Sequence, residues 1–151
     1  MIFDIDATEG EKFFFFSSRI DLNTGEVIYD DPVNDAWVTL KNPAQFYEER
    51  VAKRKREVEH VFNPKTRQME RVAFFKEMSI EEARAERDDA TDYTIADFGG
   101  FKDKSGKVIK VTRENKLKMM KTPVFDRFVG RCITIMNEGR IKEEKEQEKN
   151  S

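Results

Sequence analysis

Asp92–Met136 reads DYTIADFGGFKDKSGKVIKVTRENKLKMMKTPVFDRFVGRCITIM and holds the clearest structural punctuation in the chain. Gly99 and Gly100 are placed to end a helix, because glycine enters the left-handed conformation that closes helices without a Cβ clash. Asp103 to Gly106 then supplies turn chemistry, and Val108, Ile109 and Val111 form a short extended piece after it. Thr112 offers a side-chain oxygen to the free N–H groups of a helix starting at Arg113, with Glu114 in its favourable first turn. Thr122-Pro123 repeats the device, since proline at the first helical position gives up an N–H that would be unpaired anyway. In the helix that follows, Phe125, Phe128, Val129, Cys132, Ile133 and Met136 recur at three-and-four spacing and so share one face. That helix is expected to carry the core.

Working outward, 151 residues suit one domain, and a domain of this size buries about 68–70% of its unfolded surface without needing a metal or disulfide staple. Charged residues make up 38% of the chain and hydrophobic residues another 38%, which predicts a lean core under a heavily charged surface, partly offset by thirteen phenylalanines. Cys132 is the single cysteine, so no internal disulfide is possible, and its place on the apolar helix face reads as a small core residue. A reducing compartment follows. No apolar run approaches a membrane span, and the first residues, MIFDIDATEGEK, are acidic where a secretory signal would be basic and then apolar. The expected location is the cytoplasm.

The net charge of −2 conceals blocks: residues 1–49 carry −8, 50–76 carry +6, 77–100 carry −6, 101–141 carry +7 and 142–151 carry −1. Such blocks neutralise one another within one fold, or across to a second copy, or are plain solvated faces.

Upstream, Glu11–Ile20 (EKFFFFSSRI) is aromatic and extended in character, Glu26–Tyr29 is a second strand, and Ala36–Leu40 a third. Turn residues at 21–25 and 30–35 join them, which predicts an antiparallel three-stranded sheet over residues 11–41. Four consecutive phenylalanines put rings on both faces of a strand, so Phe13, Phe14, Phe15 and Phe16, with Trp37, are the candidate partner-binding residues. Asn42-Pro43 starts a helix to about Glu57, with Phe46, Tyr47 and Val51 inward and the cations from Arg50 to Arg56 at its C-terminus, where the macrodipole favours them. Residues 58–75 alternate around an Asn63-Pro64-Lys65-Thr66 turn and read as an additional β-hairpin. Ser79-Ile80-Glu81-Glu82 is a capping box opening a helix to about Ala96, with Ile80, Ala83, Ala90, Tyr93 and either Ile95 or Ala96 inward. The class is therefore α+β: an N-terminal sheet, a hairpin and a helical C-terminal half. Residues 1–139 form the domain, the last helix ends near 138, and 140–151, nearly all charge, is expected as a disordered tail.

No catalytic constellation emerges. Asp97-Phe98-Gly99 matches a kinase tripeptide in a chain too short for a kinase and without its other loops. Between Gly100 and Lys107 the glycine spacing is wrong for a phosphate loop, and Val108 stands where Ser or Thr must hold magnesium. Asp103 to Gly106 lacks the downstream glutamate of a calcium loop, and one histidine with one cysteine does not make a zinc site. No cofactor, metal or enzymatic turnover is expected. The basic run of Arg50, Lys53, Arg54, Lys55 and Arg56, with Arg67, Arg71 and the rings of Phe62, Phe74 and Phe75, is a candidate nucleic-acid surface of cations and stacking groups. Acidic blocks on either side and a pI near 5.7 weigh against it.

Asp92 to Asp103, Ser105 to Ile109, Thr112 to Met120 and Phe125 to Val129 together resemble small tail-assembly proteins of long-tailed bacteriophages and prophages. That group places a tryptophan–glycine turn, a D-x-x-G-K turn and a T-x-E-N-K-x-x-L/M helix in this order; Phe98 stands where tryptophan is frequent. The resemblance implies an N-terminal β-region with a helical C-terminal half. It further implies a chaperone that holds the tape-measure protein soluble and helps recruit the tail-tube protein in the host cytoplasm. Apart from the resemblance, pairing of the charge blocks between copies is compatible with a homo-oligomer.

Overall fold

The computed structural model describes residues 10–54 and 56–149. In chain order the elements are β1 (Glu11–Phe14), β2 (Ser18–Ile20), β3 (Val27–Tyr29), β4 (Trp37–Leu40), α1 (Pro43–Lys53), β5 (Arg56–Asn63), β6 (Gln68–Phe75), α2 (Ile80–Thr94), β7 (Ile95–Gly99), α3 (Arg113–Met120) and α4 (Pro123–Lys149). The class is mixed α+β, with small antiparallel sheets from the N-terminal strands, a β5–β6 hairpin and helices dominating the C-terminal part.

The apolar face of α4 is where the core forms. Phe125, Phe128, Val129 and Cys132 are buried against Val38 and Leu40 of β4 and Ile95 and Phe98 of β7, while Ile133 and Met136 pack at the margin. Phe128 is fully buried, and burying a side chain of that size stabilises the fold by roughly 1.5–3 kcal/mol.

The three-stranded antiparallel sheet has different members from those expected. Its order is β1-β4-β7, whereas β2 and β3 pair as a separate two-stranded ribbon. Two causes are visible. Strict alternation would send Phe15 and Phe16 to opposite faces, yet both rings meet Phe128, at centroid distances of 5.0 Å and 4.8 Å. The strand therefore breaks between Phe14 and Ser18. The second cause lies at the other edge of β4, where Val38 faces Phe98 and Leu40 faces Ile95. Pairing there buries Ile95 and Phe98, and that tertiary gain ends α2 at Thr94, short of the expected end near Ala96.

The glycines end β7 instead of a helix. Gly99 lies opposite Trp37, and a Cβ there would come within 2.8 Å of the indole. Gly100 has φ +81, and a Cβ would meet the Asp35 carbonyl oxygen.

At each of the three upstream helix starts the expected side-chain oxygen of the capping residue bonds a free N–H. Asn42 Oδ1 accepts from the Ala44 N–H at 3.0 Å, Ser79 Oγ from Glu82 at 3.1 Å and Thr112 Oγ1 from Asn115 at 3.1 Å. Asp103 closes its turn by accepting from the Ser105 and Lys107 N–H groups at 2.9 Å and 3.0 Å. Of the inward residues expected on α1, only Phe46 is buried; Tyr47 and Val51 are exposed, as is Ile80 at the start of α2. α4 does not stop near 138 but runs to Lys149, because the Glu, Lys and Gln of its last turns are strong helix formers. The expected tail is thus helical through Lys149, and Asn150, Ser151 and the first nine residues of the expected domain lie outside the described residues.

Candidate partner-binding surfaces

Four phenylalanines in a row divide unequally. Phe13 lies opposite Val38 on the inner face of the sheet and packs on the core with Phe15 and Phe16. Phe14 alone is exposed, at 45%. Its register partner on the outer face is Trp37, half-buried beside it. Lys12 stands over both rings, 5.3 Å from the Phe14 centroid and 4.6 Å from that of Trp37. Of the five candidate partner-binding residues, then, Phe14 and Trp37 form an open aromatic face with a cation on it, and the other three are structural. A neighbouring apolar cleft of about 460 Å³ runs between Phe15, Val33, Phe101, Ile109 and Phe125.

The basic run is partly consumed inside the fold. Arg50 bonds Asp89 at 2.7 Å and Arg54 bonds Glu86 at 2.6 Å, tying α1 to the acidic α2. Arg113 reaches the same Asp89 at 2.8 Å from α3, and its hydrogen bond is the largest influence holding that carboxyl below its ordinary value. The +6 and −6 blocks thus meet within one chain. Arg56 stacks 5.3 Å from the Phe75 ring centroid at the root of the hairpin, Lys53 is exposed, and Lys55 lies outside the described residues. The rings once grouped with this run also separate: Phe62 and Phe75 share one face of the hairpin, and Phe74 lies on the other.

Two links escaped the linear reading. Lys116, nearly buried, donates to the Asp92 carboxylate at 3.0 Å and to its backbone carbonyl at 3.1 Å. Arg127 Nε donates to Ser18 Oγ at 2.7 Å, fastening α4 to β2. Both pairs join residues far apart in sequence, where no spacing signal exists. Lys116, together with Arg113 on Asp89, clamps α3 onto α2.

Burial pushes the Cys132 thiol up to about 12, so it stays protonated at neutral pH. Among the described residues, no three His, Cys, Asp or Glu side chains are grouped to hold a metal ion, and no helix is long and apolar enough to cross a membrane. Compared with known proteins, the chain gives no significant match to a family model, to a curated protein or to a solved structure.

Proposed function

We propose that this chain is a binding protein without turnover of its own, an assembly accessory that engages another polypeptide through exposed aromatic surface. Its particular role, following the resemblance of Asp92 to Val129, is that of a tail-assembly chaperone of a long-tailed bacteriophage or prophage. In that role it holds the tape-measure protein soluble and helps bring in tail-tube subunits.

The observation that carries the binding reading is the outer face of the β1-β4-β7 sheet, where Phe14 and Trp37 lie side by side under Lys12. Exposed aromatic groups framed by charge suit reversible capture of an apolar segment, because the rings supply contact area and the charge keeps the unliganded protein apart from its neighbours. The nucleic-acid reading is the weaker one, since Arg50 and Arg54 already neutralise Asp89 and Glu86.

Co-expression with the tape-measure polypeptide tests the proposal. The expected result is that the tape-measure protein moves to the soluble fraction and co-purifies, and that Phe14→Asp, which changes only an exposed ring, reduces the yield of the complex. An unchanged tape-measure fraction, with binding to DNA or RNA that falls steeply as salt rises, would overturn it.

A further inference from the structure

The β5–β6 hairpin is a long ribbon, and among the described residues no layer packs over it. Every residue of both strands is exposed except Asn63, and the apolar side chains Phe62 and Met69 are 55% and 61% accessible. An isolated two-stranded ribbon is marginal in water, and both faces of this one carry apolar groups that an exposed hairpin has no use for.

Register assigns those groups to faces. Residues directly opposite each other share a face, and the sides alternate along each strand. Val58 and Ala73, Phe62 and Met69, and Phe75 lie on one side together with Arg56 and Arg71. On the other side, Val61, Val72 and Phe74 lie with Glu57, Glu59 and Glu70. His60 shares the arginine face and Asn63 the glutamate face, where its Nδ2 donates to Glu70 at 2.8 Å. One face is apolar and cationic, the other apolar and anionic.

We propose that the hairpin is a self-assembly arm whose arginine face docks on the glutamate face of the arm of a second copy of this chain. Stacked ribbons lie about 10 Å apart, close enough for the arginines to meet the glutamates while the apolar rows interdigitate. Pairing through two identical faces is disfavoured: it would set three glutamates against three, or arginines against arginines. The contact is therefore head-to-tail, it leaves one face free at each end, and it continues into a ring or an open stack. Each face is small, so association rises with protein concentration and weakens with salt. This assembly is independent of the tail-assembly role, because it uses neither Phe14 nor Trp37.

Two full-length variants test it by sedimentation velocity over a wide concentration range at low salt. Glu57→Lys/Glu59→Lys/Glu70→Lys makes both faces cationic, and Arg56→Glu/Arg71→Glu makes both anionic. The wild type should self-associate, each variant alone should stay monomeric, and an equimolar mixture of the two should associate again. Circular dichroism of each variant checks that the body remains folded. A wild type that is monomeric throughout, or variants that associate singly as well as the wild type does, would overturn the proposal. So would a monomeric wild type that binds an oligonucleotide through Arg56 and Arg71, an outcome that would assign the arm to nucleic acid.

Discussion

Gly100 and Gly106 both sit at positive φ, +81 and +83, yet they answer to different neighbours. A Cβ on Gly106 would enter open space, whereas one on Gly100 would collide with the Asp35 carbonyl, which belongs to backbone and has little room to yield. Gly106→Ala should therefore cost only the left-handed conformation, about 1–2 kcal/mol. Gly100→Ala should cost on the order of 4 kcal/mol or prevent folding, at the far end of what single substitutions do. Denaturant midpoints of the two variants measure this directly, and equal losses would show that the Asp35 segment moves aside freely. The need for glycine at 99 and 100 was legible from the sequence. Its reason was not, because the Asp35 backbone and the Trp37 indole that crowd these positions are some sixty residues upstream.

At the scale of elements, the periodic helices and the caps were readable because they depend on neighbours three or four residues away. Strands were less so. β7 was hidden inside an apparent helix end, and Glu11–Ile20 looked like one strand, since pairing and the inward turn of both Phe15 and Phe16 depend on β4 and α4. The β5–β6 arm is the element most separable from the rest. Arg56 and Phe75 are register partners at its root, so a short turn can join the flanking chain once residues 57–74 are removed. The truncated protein should keep the helix content of the body and melt within a few degrees of the parent, about what a loss below 1 kcal/mol produces in a domain of this size. A collapse of the melting transition would show that the arm is part of the core's cooperative unit.

Across the whole molecule, the alternating charge blocks act as connectors. Asp89 on α2 accepts from Arg50 on α1 and Arg113 on α3, so one carboxylate gathers three helices. Its carboxyl is held below its ordinary value of 3.8, chiefly by the Arg113 hydrogen bond. The unfolded chain therefore takes up the proton first on acidification. The stabilisation is complete above the ordinary value and is lost as pH falls through the lower folded value. All three side chains are partly exposed, so each pair contributes about 0–1 kcal/mol after solvent screening. Asp89→Asn should be less stable than the parent at neutral pH, and the difference should close as pH drops below the folded value. Chemical denaturation across that range checks the prediction, and a difference that stayed constant would mean that the ion pairs contribute nothing.

What was decided along the chain was local: where α1, α2 and α3 begin, which face of α4 is apolar, where Asp103 turns, and that the class is α+β. These depend on backbone N–H groups finding side-chain oxygens nearby, and on periods of 2 and 3.6 that a single strand or helix carries alone. Tertiary structure decided which strands share a sheet, which phenylalanines are core and which surface, and that the basic and acidic blocks at 50–54 and 86–89 pair within one chain. It also supplied the register that separates the arm into a cationic and an anionic face. Burial and ion pairing act between atoms brought together from distant parts of the chain, so their outcome is fixed only when β4, β7 and α4 close on one another.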